Sequence, residues 1–138
     1  VLLAIYHDAA EILTGDLPTP VKYFSSEISE AYKTVEVAAC QSLLDLLPAD
    51  LREDYTPYLL PADHYPRYLP YLKAADRFSA LVKCMEETRQ GNFEFRRAAA
   101  QTREAITAMA LPEADCFLQD FIPAFEKTLD ELQTQEEL

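Results

Sequence analysis

Apolar residues recur every three or four positions along most of the chain, which is the spacing of one face of an α-helix. The clearest case begins after Ser25 and Ser26, which are suitable helix caps, and ends before Pro48. One face of this helix is predicted to hold Ile28, Ala31, Tyr32, Val35, Ala38, Ala39, Leu43 and Leu46. No strand pattern longer than chance is present, so the sequence predicts an all-α fold.

Glycine and proline mark where the other predicted helices end. Gly15 closes a helix over residues 1–14, and Gly91 closes one over residues 69–90. Further helices are predicted over residues 49–58 and 93–109, and a last one from Pro112, which Pro123 should kink or split. The proline-rich residues 57–70 should form an irregular connection, and residues 130–138 should fray. The result is a bundle of about five to six helices.

Length and composition narrow the class of protein. The 138 residues suit one domain, residues 1–138, and a hydrophobic content of 49% excludes disorder. No apolar run approaches the ~18 residues of a membrane span, and no signal peptide is visible. The three cysteines are far apart and form no Cys-x-x-Cys motif. We therefore expect reduced thiols in a cytoplasmic protein without a membrane partner.

The net charge of −12 changes the range of possible partners. Binding to polymeric nucleic acid needs a basic stripe, but the five Lys and seven Arg are scattered and only Arg96 and Arg97 are adjacent. A small anionic substrate would have to be held by a local cation against the field of the whole chain. Screening over ~8 Å makes such local capture feasible.

One short segment carries candidate chemistry. On an ideal helix Asp8 lies ~100° round from His7, and Glu11 lies ~40° round, between them. Imidazole and carboxylate are ligands that suit the Mn, Fe, Co and Zn series. Glu11 also falls in the last turn before Gly15, where the helix dipole disfavours an acid, and a bound cation would explain its presence. An ordinary polar helix surface is the alternative.

The longer run around these residues resembles a known family. His7-Asp8-x-x-Glu11 is followed at fixed spacing by Gly15-Asp16-x-Pro18-Thr19-Pro20, as in the bacterial 5′-deoxynucleotidases of the YfbR type. These enzymes belong to the HD-domain metal-dependent phosphohydrolases. A second match to the family covers residues 72–76, of which Asp76 is the last, and continues over residues 81–84. A third, weaker match covers residues 121–125.

The resemblance implies an HD-domain helical bundle that hydrolyses deoxyribonucleoside 5′-monophosphates, in a cytoplasmic homodimer. It implies one divalent metal ion, Co, Mn, Mg or Zn, held by His7, Asp8 and Asp76. Glu11 would be the acid–base residue and Asp16 would face the sugar or assist proton transfer, while Thr19 and Lys22 would contact the substrate. The family's earlier His and Arg are not in this sequence, so we expect the domain to lack its N-terminal helices, with one metal ligand and part of the phosphate site.

Several alternatives remain open at this stage. The metal ligands would also suit another HD-family enzyme, such as a phosphodiesterase or a nucleoside triphosphate hydrolase, although the scarcity of Lys and Arg near the motif disfavours it. A helical interaction module without catalysis is the second alternative. Asp76 could form an intrahelical salt bridge to Lys73 or Lys83 instead of binding metal. His64 is predicted to be a loop residue and not a replacement ligand.

Overall fold

The computed structural model describes residues 1–22 and 24–133, apart from the side chains of Thr19, Leu129 and Gln133. Within these residues the structure is helical throughout and contains no strand, which confirms the predicted all-α class. The chain divides into two compact units, Val1–Leu72 and Lys73–Leu138. None of the described helices is long and apolar enough to cross a membrane. That the whole chain forms a single domain stays a prediction.

The first unit contains six α-helices and the start of a seventh. These are α1 (Leu2–Tyr6), α2 (Glu11–Thr14), α3 (Thr19–Lys22), α4 (Ser26–Asp45), α5 (Ala49–Leu59), α6 (Pro61–His64), a 3₁₀ turn (Pro66–Tyr68) and the start of α7 (Leu69–Arg89). Helix α4 begins as predicted, because the Ser25 hydroxyl accepts a hydrogen bond from the Ile28 N–H at 3.3 Å. His64 is the last residue of α6, so its assignment to a loop is wrong, and Pro61 explains the extra turn by starting it.

The predicted helix over residues 1–14 is wrong in one respect, since the structure interrupts it between Tyr6 and Glu11. Here the Ala9 N–H donates to the Tyr6 carbonyl at 3.1 Å, and the Glu11 N–H donates to the Asp8 carbonyl at 2.9 Å. These bonds span three residues, as in a 3₁₀ turn, and tighten the backbone locally. The tight turn therefore contains the His7-Asp8 pair.

The core of the first unit lies where α1, α2, α4 and α5 meet. Its buried residues are Ala10, Ala39, Cys40, Leu44 and Leu59. The predicted apolar face of α4 is wrong at five positions, which are exposed: Ile28, Ala31, Val35, Ala38 and Leu46. The buried residues of α4 are Ala39, Cys40 and Leu44, which form one cluster with Ala10 and Leu59. The inner face of α4 is therefore rotated relative to the predicted one.

Five tyrosines follow one another in the second half of this unit, Tyr55, Tyr58, Tyr65, Tyr68 and Tyr71, and the first four pack in a series with Tyr6. Tyr6 contacts Tyr55 and Tyr58 at ring-centroid distances of 5.7 and 6.4 Å. The series continues from Tyr58 to Tyr65 and from Tyr65 to Tyr68. The fifth, Tyr71, is 44% exposed. The series of packed tyrosines begins at Tyr6, which precedes His7 in the sequence.

The second unit contains most of α7, a 3₁₀ turn (Phe93–Phe95), α8 (Arg96–Thr107), α9 (Pro112–Asp120), α10 (Ile122–Phe125) and α11 (Leu129–Gln133). Its buried residues are Ala74, Leu81, Ile106, Ala114 and Ile122. As predicted, the last helix starts at Pro112 and is split before Pro123. Residues 130–133 of the segment expected to fray belong to α11, and the rest of it, residues 134–138, lies outside the described residues.

Phe117, Phe121 and Phe125 recur at four-residue spacing and form a phenylalanine stripe along the last helices. Phe117 packs against Phe78 with ring centroids 4.6 Å apart, so this residue belongs to the core. Phe121 and Phe125 are 54% and 45% exposed. The described part of the stripe therefore turns from core to surface after its first residue.

Candidate functional site

The His7-Asp8 pair has a geometry that suits a cation. His7 Nδ1 lies 2.8 Å from the Ala4 carbonyl oxygen, which can only accept, so Nδ1 carries the proton in this hydrogen bond. In neutral imidazole the lone pair is then on Nε2, which lies 3.0 Å from Asp8 Oδ2. Two electron-pair donors face each other at this distance, and a second proton or a metal ion would stabilise them.

Glu11 lies within the electrostatic reach of four charged or titratable neighbours. Burial raises the pKa of the Glu11 carboxyl above its ordinary value of 4.5, and the carboxylates of Asp8 and Asp16 raise it further. Lys22 and His7 act in the opposite direction and lower it. Four of the predicted site residues thus lie within electrostatic reach of the half-buried Glu11. A carboxyl with a raised pKa between two other acids is a typical candidate for proton transfer.

The turn after α2 is held in a conformation that only glycine adopts readily. Gly15 has φ 69° and ψ 165°, and its N–H donates to the Glu11 carbonyl at 2.9 Å. The hydroxyls of Thr14 and Tyr32 lie 3.0 and 3.2 Å from the Gly15 carbonyl oxygen. Since Tyr32 belongs to α4, a long helix fixes the turn that presents Asp16.

Lys22 is tied to the same helix. Its ammonium lies 2.7 Å from Glu36 Oε1 and 4.8 Å from the centre of the Tyr32 ring. Sequence reasoning missed Glu36 and treated Tyr32 only as a core residue. The sequence shows that Tyr32 and Glu36 share a face of one helix, because they are four residues apart. It does not show that this face contacts Gly15 and Lys22, as the structure does.

Asp16, Thr19 and Asp76 are the other predicted site residues to locate on the helices and turns. Asp16 is exposed in the turn after Gly15. Thr19 is the first residue of α3, but its side chain lies outside the described part of the chain. Asp76 is an exposed residue of α7 in the second unit, and its role as a metal ligand stays a prediction. Lys83, one of the alternative partners of Asp76, pairs with Glu87 at 3.0 Å.

Metal ligation is not complete within either unit. Among residues 1–22 and 24–133, neither unit holds a group of three His, Cys, Asp or Glu side chains that could bind a metal ion. The first unit provides one imidazole and one adjacent carboxylate, so a metal there needs further ligands.

Comparison with known proteins agrees with the motif. A family profile described as "5′-deoxynucleotidase YfbR-like" matches residues 1–125. The chain is 44% identical to a 5′-deoxynucleotidase of Vibrio atlanticus and 46% identical to one of Vibrio cholerae, over 95% of this chain and 68% of each relative. It is 42% identical to the 5′-deoxynucleotidase YfbR of Shigella dysenteriae, over 95% of this chain and 66% of that protein.

Proposed function

Because this chain belongs to the YfbR-like 5′-deoxynucleotidase family, we propose that it hydrolyses deoxyribonucleoside 5′-monophosphates to deoxynucleoside and phosphate. The observation that carries this proposal is the cluster around Glu11. His7, Asp8, Asp16 and Lys22 all act on its carboxyl, and they come from only sixteen consecutive residues, 7–22. Hydrolysis of a phosphate ester needs proton transfer at two oxygens, and this cluster can supply it.

Glu11 is the acid–base residue in this proposal. Its raised pKa brings the carboxyl closer to the pH at which the enzyme works, where proton transfer is most efficient. It would take a proton from the attacking water or deliver one to the leaving 5′-oxygen. Asp16, held by the Gly15 turn, would orient the sugar or assist that transfer.

Family membership implies a divalent metal, and the residues present fit one. We propose that His7, Asp8 and Asp76 hold it. The bond from Nδ1 to the Ala4 carbonyl fixes the imidazole with Nε2 as the ligand atom, which is the usual support of a metal-binding His. When bound, the metal polarises the phosphate and makes water more acidic. Mixed nitrogen and oxygen ligation favours Mn or Co over Mg, with Zn as a further option.

Thr19 and Lys22 are the proposed polar contacts to the substrate. The Lys22 ammonium already lies 2.7 Å from the Glu36 carboxylate. A substrate phosphate would therefore share this ammonium with Glu36. Tyr32 and Glu36 would hold the Lys22 ammonium in position. Such sharing suits one phosphate group better than three.

Substrate charge gives a direct test. One metal and one shared ammonium can neutralise a monophosphate, whereas a triphosphate brings roughly two further negative charges into a chain of net charge −12. We expect the native protein to hydrolyse deoxynucleoside 5′-monophosphates faster than the matching triphosphates. Chromatographic separation of the nucleoside and nucleotide products, with Mn²⁺, Co²⁺, Mg²⁺ or Zn²⁺ added, measures this and also detects reactions that release no free phosphate.

The same assay separates the alternatives. Ribonucleoside 5′-monophosphates and deoxynucleoside 3′-monophosphates are the matched controls, and both should be slower. Faster turnover of triphosphates would favour a nucleoside triphosphate hydrolase, and cleavage of a phosphodiester would favour a phosphodiesterase. No hydrolysis with any of these metals would support a non-catalytic module.

We also propose that the protein is a cytoplasmic homodimer that binds neither polymeric nucleic acid nor membranes. The first unit exposes large apolar side chains, among them Ile12 at 75% and Phe24 at 80%, which a second subunit could cover. Light scattering on the native protein should give twice the subunit mass. A monomer over a wide concentration range would contradict this.

A further inference from the structure

Three arginines from two helices line one cavity of the second unit. The cavity has a volume of about 410 Å³. Arg89 comes from the end of α7, and Arg96 and Arg103 come from α8. The cavity is lined by Leu81, Met85, Thr88, Arg89, Phe93, Arg96, Ala99, Ala100, Arg103, Phe125 and Glu126.

The pattern along α8 explains how the cavity forms. Arg96 and Arg103 are seven residues apart, which is about two turns, so both lie on the same face of the helix. Ala99 and Ala100 lie between them and leave space that larger side chains would fill. Arg97 is the neighbour of Arg96 in sequence but does not line the cavity, as expected from a position ~100° further round the helix.

The charges around the cavity are unlike those of the whole chain. Three guanidinium groups and the single carboxylate of Glu126 line it, which gives a local charge of +2 in a chain of net charge −12. Arg103 Nη2 lies 3.2 Å from Glu126 Oε1, and both side chains are well exposed. Arg89 donates to the Lys127 carbonyl at 3.1 Å. Each of these bonds uses one of the five N–H donors of a guanidinium.

The remainder of the lining is apolar and partly aromatic. Leu81 and Met85 form part of the wall, and Phe93 and Phe125 are 57% and 45% exposed beside the arginines. The Arg96 guanidinium lies 4.1 Å from the centre of the Phe93 ring. A site of this kind offers both contact area for a hydrocarbon body and hydrogen-bond donors for an anionic head group.

We propose that this cavity is a second binding site, which takes a small amphipathic organic anion with one phosphate, sulfonate or carboxylate head group. The head group would lie between Arg96 and Arg103, and the apolar body would lie against Met85, Phe93 and Phe125. The volume falls within the range of small-molecule sites. An inorganic anion would leave the apolar wall unused, and a neutral compound would leave the guanidinium groups unused. The proposal is independent of the function proposed above, because every lining residue belongs to the second unit.

Calorimetric titration with 2-naphthalenesulfonate tests this site. We expect one saturable site on the native protein. Arg96→Gln and Arg103→Gln should each weaken binding roughly tenfold or more, since each removes a charged hydrogen-bond donor from the head group. Arg97→Gln is the matched control, because it removes the same charge from the adjacent residue outside the cavity, and its affinity should change less than about twofold.

Glu126→Gln gives a result of the opposite sign. It removes the carboxylate that competes with the ligand for Arg103, so it should tighten binding. A misfolded variant would bind the ligand more weakly, so tighter binding by Glu126→Gln cannot be explained by damage to the fold. Naphthalene-2-methanol and inorganic sulfate, which supply the body alone and the head group alone, should both bind more weakly than the sulfonate. His7→Ala should retain the site.

Four results would contradict the proposed anion site, each for a different reason. Absence of saturable binding of the sulfonate would overturn the proposal. Equal binding of the neutral alcohol would show an apolar groove without anion recognition. An equal loss in Arg97→Gln and Arg96→Gln would show general charge attraction, and unchanged affinity in Arg103→Gln and Glu126→Gln would place the ligand elsewhere.

Discussion

Replacing Glu11 by Gln should lower the turnover of deoxynucleoside monophosphates by roughly 10²–10⁴-fold, the range for loss of an acid–base group. The amide keeps the size of the side chain but cannot exchange a proton near neutral pH. Metal affinity should be retained, because the proposed ligands are His7, Asp8 and Asp76. Steady-state kinetics and metal titration on the same preparation measure both effects.

The same substitution should stabilise the metal-free protein at neutral pH. Because the pKa of Glu11 is raised in the folded state by burial and by Asp8 and Asp16, deprotonation costs folding stability as the pH rises above 4.5. Glu11→Gln removes that cost. Its advantage in melting temperature should be present at pH 7 and should disappear below pH 4.5, where the carboxyl is protonated in both the folded and the unfolded state.

Loss of turnover combined with a gain in stability distinguishes a proton-transfer residue from a structural one. Glu53→Gln is the matched control, since Glu53 is an exposed glutamate of α5 in the same unit. It should change neither property appreciably. If Glu11→Gln abolishes metal uptake while turnover per bound metal is unchanged, Glu11 is a ligand and the proposed role is wrong.

Local signals in the sequence predicted much of the fold. Gly15 and Gly91 lie just beyond α2 and α7 with positive φ, which only glycine adopts without strain. Ser25 caps α4 through its own hydroxyl, and Pro123 splits the last helix. Each of these features depends on a few neighbouring residues, so the sequence alone is sufficient to predict it.

Packing decided what local signals could not. Periodicity placed Ala39 correctly on the inner face of α4, but it also placed the exposed Val35 and Leu46 there. It left out Cys40 and Leu44, which are buried in one cluster with Ala10 and Leu59. Likewise, helical spacing alone does not reveal the three-residue hydrogen bonds that tighten the turn at His7 and Asp8.

The candidate site and the cavity also differ in whether their residues are neighbours in the sequence or are brought together by packing. The motif from His7 to Asp16 could be identified from the sequence because its residues are close together in the chain. The same neighbours shift the pKa of Glu11 in the structure. The ion pair from Lys22 to Glu36 joins residues fourteen apart. The cavity joins the three arginines to Phe125 of α10 and to Glu126, which follows that helix. Scattered arginines in a sequence therefore say little about where positive charge collects in the fold.

Metal affinity should fall by on the order of 100-fold or more when His7 is replaced by Ala. Loss of a residue that merely supports a ligand typically costs 10–100-fold, and removal of the ligand itself should cost at least as much. The hydrogen bond to the Ala4 carbonyl directs Nε2 towards Asp8, so no other nitrogen in this turn can replace it. Titration of the metal-free native protein with Mn²⁺ or Co²⁺ measures the effect, and turnover should fall with it.

His64→Ala is the matched control, because the chain has two histidines and His64 is the exposed last residue of α6. It should retain both metal affinity and turnover. Asp8→Asn should weaken metal binding together with His7→Ala, since their side chains face each other at 3.0 Å and would bind the same ion. If His64→Ala loses the metal while His7→Ala keeps it, the proposed ligand set is wrong. The turn between α1 and α2 would then be a polar surface whose imidazole is simply paired with its neighbouring carboxylate.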